Sequence, residues 1–129
     1  MKSTVVVDAN VILRYLLADH EQQHSSARTA FDEVRGGRRL AFVGEGVIVE
    51  CVYVLLKVHG VGRAEITDTL LGLLAFKGVR AHDLEATMDA LRVFRDRNVD
   101  IVDAIVVATA KRRGWDVLSF DRDVRKLLA

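Results

Sequence analysis

Apolar residues along this chain fall into short runs separated by charge and glycine, and their spacing alternates between two periods. Ser3–Val7 is a compact β-branched run and predicts a buried strand. From Asp8 to Ala18 apolar residues stand at 11, 12, 13, 16 and 17, one face of a helix. Glu21–Val34 is polar apart from positions 27, 30, 31 and 34, a surface helix stopped by Gly36-Gly37. Leu40–Val43 predicts a second strand. Val47–Leu56 fits a strand locally, but the stretch from Gly44 to Gly60 is long for one strand, and a buried helix is predicted. Arg63–Phe76, with leucines at 70, 71, 73 and 74, is a helix ended by Gly78; Val79–Ala81 is a third strand. Asp83–Arg97 is amphipathic, with Asp83 as N-cap and Ala86, Met88, Leu91 and Phe94 on its buried side. Val102–Arg113 is a nearly all-apolar helix closed by Gly114, Asp116–Ser119 a fourth strand, and Asp121–Leu128 a last short helix.

Short strands alternating with helices imply an α/β fold: a parallel sheet covered by helices on both faces. Such sheets bind ligands beyond the carboxyl ends of their strands. The 129 residues suit one domain, 1–129, with no linker, repeat or low-complexity tract and no proline. No apolar run approaches the roughly 18 residues needed to span a bilayer. Met1-Lys2-Ser3-Thr4 leads directly into a strand without a signal-peptide pattern. The single cysteine, Cys51, lies in an apolar stretch as a small buried side chain. Together these favour a soluble, cytoplasmic protein with no membrane partner.

Charge adds little until its placement is considered. The formal net charge is +1, and cations cluster at Arg35-Arg38-Arg39, Lys111-Arg112-Arg113 and Arg122-Arg125-Lys126. These clusters suit helix ends, and also the rim of a phosphate-binding surface.

Four acids border or interrupt apolar runs. Asp8 ends Val5-Val6-Val7, Glu50 is the only charge between Val47 and Leu56, Asp103 opens Ala104–Ala108, and Asp121 follows Val117-Leu118-Ser119-Phe120. A carboxylate at the edge of a core is costly unless a cation or donor meets it. Singly, Asp8, Asp103 and Asp121 are explained as helix caps, with Asp100 and Asp123 as rival caps. A mid-helix Glu50 is not, although a lone one could be protonated or paired with arginine. Convergence explains all four at once, and converging carboxylates suit a hard divalent cation. His20, His24, His59 and His82 form no ligand pattern; there is no zinc spacing, no nucleophile elbow and no phosphate-cradling glycine loop.

The acid-bearing segments are similar to the motifs of the PIN-domain ribonucleases, and among them of the VapC toxins of VapBC toxin–antitoxin pairs. Val6–Leu17, with Asp8 and Asn10, resembles the first motif, and Val47–Leu55 the glutamate helix. Val99–Ala108, with Asp100 and Asp103, resembles the third, and Leu118–Asp123 the last, where threonine often stands in place of Ser119. The resemblance spans essentially the whole chain. It implies a three-layer sandwich with a four- or five-stranded parallel sheet; many relatives continue into a fifth strand beyond the last helix, where this sequence ends at Ala129. It also implies a Mg²⁺- or Mn²⁺-dependent endoribonuclease, a toxin held by a small VapB-like antitoxin, and a homodimer. Asp8, Glu50, Asp103 and Asp121 carry over as the catalytic quartet, with Asp8, Asp103 and Asp121 on the metal. Asn10, Ser119, Asp100 and Asp123 carry over as outer neighbours. The valine- and leucine-rich region 47–74 offers a groove for an antitoxin helix, a dimer face or plain core. A phosphohydrolase would need a second aspartate where Asn10 stands, and a receiver domain an acidic pair at the first strand. A PIN-like module without catalysis is the non-enzymatic rival.

Overall fold

Three parallel strands and seven α-helices make up the described residues, 3–129, in the computed structural model of the chain. The expectation about the extreme amino terminus rests partly on Met1 and Lys2, which lie outside those residues. Strand β1 (Thr4–Val6) leads through Asp8 into helix α1 (Ala9–Leu17), and α2 (Glu21–Arg35) returns to β2 (Leu40–Phe42). Helix α3 (Glu45–Tyr53) runs into a wide π-helical turn, Val54–Val58, and α4 (Arg63–Leu74) returns to β3 (Val79–Arg80). Helices α5 (Leu84–Asp96), α6 (Ile101–Arg113) and α7 (Arg122–Leu128) complete the chain.

The sheet has the order β1-β2-β3, with Val5 opposite Ala41 and Ala41 opposite Val79. Because parallel strands turn alternate residues toward alternate neighbours, Ser3 and Val7 bond β2 through Leu40 N–H to the Ser3 carbonyl and Val7 N–H to the Phe42 carbonyl. Thr4 and Val6 therefore aim their backbone groups at the other side, where β1 has no partner strand among the described residues. The expected buried first strand is an edge strand, and Val6 is 80% exposed. The expected strand at 116–119 pairs with none of the three; that segment runs without regular structure between α6 and α7. Leu118 and Phe120 are almost wholly exposed, so it lacks the ladder and the packing that would define a strand.

Gly78 is required where β3 meets β2 and the end of α2. Its N–H donates to the Val34 carbonyl and its carbonyl accepts from Ala41, and a Cβ there would fall 2.1 Å from the Arg39 carbonyl oxygen. The main core gathers Ile12, Phe31, Ala41, Ile48, Val52, Leu70, Leu91, Phe94 and Ile101 from all layers, and Val107, Val124 and Leu127 join α7 to α6. Ile48, Cys51, Val52, Leu55, Ile66, Leu70, Leu73 and Leu74 are all buried, so these positions of 47–74 are plain core, whereas Tyr53 and Val58 are exposed. No helix among the described residues is long and apolar enough to cross a membrane.

Candidate active site

Three of the four acids that drew attention in the sequence sit at or beside helix amino termini, where free N–H groups and the helix dipole favour a carboxylate. Asp8 follows β1 and caps α1, accepting from Ala9 N–H at 2.8 Å. Asp100, not Asp103, caps α6, accepting from Val102 N–H at 2.8 Å; Asp103 lies in the first turn. Asp121 caps α7, accepting from the N–H groups of Asp123 at 2.8 Å and Val124 at 3.2 Å. Ser119 Oγ accepts from Asp121 N–H at 3.0 Å and fixes the turn before it. Capping and a shared site are thus compatible explanations for one residue.

Glu50 departs from the sequence reading. Its position on α3 is flanked by buried Cys51 and Val52, yet the side chain faces solvent, because the helix turns adjacent residues to different sides. Asp8, Asp121, Asp100, Asp123 and Asn10 are also exposed, and Asp103 is half-buried. The acids therefore form a surface, not a set of buried charges.

Two groups emerge on that surface. Asp8 and Glu50 flank Cys51, whose thiol is pushed up to about 12 by burial first and then by the charges of Glu50 and Asp8. The same thiol points at the Ala9 carbonyl, 3.9 Å away, tying α3 to the start of α1. Asp103, Asp121, Asp100 and Asp123 form the second group. Desolvation, then repulsion from Asp121, Asp100 and Asp123, raises the Asp103 carboxyl above its ordinary 3.8.

A bond missed in the sequence connects the two. The Tyr53 hydroxyl donates to the Asp100 carboxylate, 2.9 and 3.1 Å from its two oxygens, which joins α3 to the start of α6. Hydrogen bonding to Asp100 is also the leading reason the Tyr53 phenol is raised. The available signal was spacing: Tyr53 stands three residues after Glu50, and Asp100 three before Asp103. Arg63 was also missed. Its guanidinium donates to the carbonyls of Phe94 at 2.9 Å and Val99 at 2.7 Å while stacking on the Phe94 ring, and so holds the loop that delivers Asp100.

None of Asp8, Glu50, Asp100, Asp103, Asp121 and Asp123 has a salt-bridge partner among the described residues; Asp19, Asp68, Asp83, Asp89 and Asp96 do, and Asp32, Asp116 and the other five glutamates do not. An anionic surface of oxygen donors without protein counter-charge fits a hard divalent cation in its chemistry. Among the described residues, however, no three His, Cys, Asp or Glu side chains stand grouped as an ion would need. The donors fit in kind, and they stand as two groups. Asn10 also lines a groove of about 730 Å³ between α1 and α2, with Arg14, His20, Gln23 and Ser26 around it. His20 has a structural use: its Nδ1 accepts from Gln23 N–H and caps α2.

A family model described as PIN domain matches residues 5–127, nearly the whole chain and all the acids above. No curated protein matches the sequence.

Proposed function

The chain belongs to the PIN domain family, whose members are generally metal-dependent nucleases, and on that premise we propose that it is an endoribonuclease and the toxin of a type II toxin–antitoxin pair of the VapC kind. The observation that carries the reading is the acidic surface without counter-charge at the amino ends of α1, α6 and α7. Carboxylates that repel one another favour the uptake of a cation or a proton.

In this reading Asp8, Asp103 and Asp121 would hold Mg²⁺ or Mn²⁺, the ion drawing the two groups together, and Asn10, Ser119, Asp100 and Asp123 would keep those carboxylates in place. When bound, such an ion would acidify a water and add positive charge at the scissile phosphate. Glu50 accepts the proton of the attacking water at its carboxylate, which suits a solvent-facing side chain with an ordinary water supply. Hydrolysis leaves a 3′-hydroxyl and a 5′-phosphate. The substrate is cytoplasmic RNA, recognised through unpaired loops where bases are accessible. A small VapB-like antitoxin restrains the enzyme, and the working unit is a homodimer.

A second reading, a PIN-like binding module without catalysis, is favoured by one observation, the absence of a three-donor group among the described residues. One experiment separates them: protein freed of any partner is incubated with total RNA, with and without Mg²⁺ or Mn²⁺, beside Asp8→Asn. The nuclease gives discrete, metal-dependent fragments that the variant does not produce. Products ending in 2′,3′-cyclic phosphate would replace this mechanism with attack by the RNA 2′-hydroxyl.

A further inference from the structure

We propose that Tyr53 and Asp100 form a positioning pair that fixes the start of α6, and with it Asp103, relative to α3. The inference rests on the nuclease reading above and adds to it a residue outside the four acids.

Residues three apart on a helix share a face. Glu50 and Tyr53 are such a pair on α3 and both are exposed; Asp100 and Asp103 have the same spacing across the start of α6. The Tyr53–Asp100 bond joins α3, three residues after Glu50, to the start of α6, three residues before Asp103. The Asp100 carboxylate is held from two directions, by the Tyr53 hydroxyl at 2.9 and 3.1 Å and by Val102 N–H at 2.8 Å. With both donors in place the carboxylate cannot rotate freely, and its oxygens are committed to the protein. Arg63 restrains the backbone just before it through the Val99 carbonyl.

The bond is not needed to hold α6 on the molecule, because Ile101, Ala104 and Ala108 bury that helix in the main core. An exposed hydrogen bond adds only modestly to stability. Its value is orientation: the outer partners of metal-binding and catalytic groups fix how those groups point.

Three variants test this. Tyr53→Phe keeps the ring and removes the donor. Asp100→Asn keeps an oxygen able to accept from both Tyr53 and Val102, and Asp100→Ala removes it. Mn²⁺ binding is measured by calorimetry without RNA, and cleavage on a labelled oligoribonucleotide carrying a site mapped with the wild type. Tyr53→Phe and Asp100→Ala should each weaken Mn²⁺ binding and lower kcat by about 10-fold or more, with KM changed about twofold at most. Asp100→Asn should stay within about threefold of wild type in both, and Tyr53→Phe added to Asp100→Ala should cost nothing further. Wild-type binding and kcat in Tyr53→Phe would overturn the pair. So would equal damage from Asp100→Asn and Asp100→Ala, which would make Asp100 a ligand in its own right. If Asp100→Ala fails to fold by circular dichroism, Tyr53→Phe decides alone. A wild-type protein that neither binds Mn²⁺ nor cuts RNA would bring down the nuclease reading itself, whereas an active wild type with an equally active Tyr53→Phe removes only the pair.

Discussion

At its carboxyl end α6 presents Lys111, Arg112 and Arg113, and two of these meet acids of α5: Arg112 stands 3.1 Å from Asp89, and Arg113 3.3 Å from Asp83. At its amino end the same helix presents Asp100 and Asp103, with Asp121 and Asp123 acting on Asp103, and no lysine or arginine among the described residues pairs with any of them. Both ends suit the helix dipole, which favours acids at the start and bases at the finish. The dipoles of α6 and α7 account for these acids singly; they do not account for Asp121, Asp100 and Asp123 all acting on Asp103. The paired end is what surface electrostatics produces when only solubility and modest stability are at stake. What sets the unpaired end apart is that acids from two helix starts gather there, close enough to raise Asp103, and that makes it a candidate for chemistry.

The sharpest contrast between the two ends is catalytic. Asp103→Asn should lower metal-dependent RNA cleavage by about 10²–10³-fold, the size of losing one electrostatic contributor to a transition state, while Asp89→Asn leaves it unchanged. Equal rates in the two variants, measured on the same RNA, would erase the distinction. Next in size is the ion's own effect on folding. Mn²⁺ at about 100 times its Kd should raise the unfolding free energy by ~2.7 kcal/mol in the wild type, and by much less in Asp103→Asn. Denaturant titrations with and without Mn²⁺ measure it, and an equal rise in both proteins would place the ion elsewhere.

The paired end should respond in stability alone. Asp89→Ala removes contacts to both Arg92 and Arg112 from a partly exposed site and should cost about 1 kcal/mol or less in a urea titration, with cleavage intact. The smallest effect concerns pH with the metal chelated. Burial and neighbouring acids raise the folded Asp103 carboxyl above 3.8, so folding favours its protonated form. That contribution is whole below 3.8 and is lost as pH rises through the folded value. Chelated wild type should therefore lose stability relative to Asp103→Asn over that rise, by a small amount because the group is only half-buried. A gap that stays constant with pH would show that repulsion at this end is relieved some other way.

The helices were legible in the sequence because each carries its own signal: apolar spacing of three and four, Gly36-Gly37 and Gly114 as stops, and Asp83 as a cap that does accept from Ala86 N–H. The segment at 116–119 was not. Its alternating apolar residues are compatible with a strand, but a strand exists only where a neighbour completes the ladder, and the neighbour is a property of the whole fold. Glu50 was located correctly on α3 and assigned the wrong environment, since valines on either side along the chain say little about which side of a helix a residue faces. The sequence reading expected the four acids to converge, and their standing as two groups was not legible in it, because order along the chain does not give the distance between helix starts. Nor was the tyrosine that joins the two groups, because tyrosine is common in cores and only a partner's position gives its hydroxyl a meaning.

The unpaired side of β1 has a bearing on how the protein behaves in bulk. Among the described residues, no strand pairs the outer side of Thr4 and Val6, the strand carries no charge, and Val6 lies open to solvent. Such an edge is a template on which an extended segment from any nearby chain can build. At three residues the edge is short, and that shortness limits how far any such addition can run.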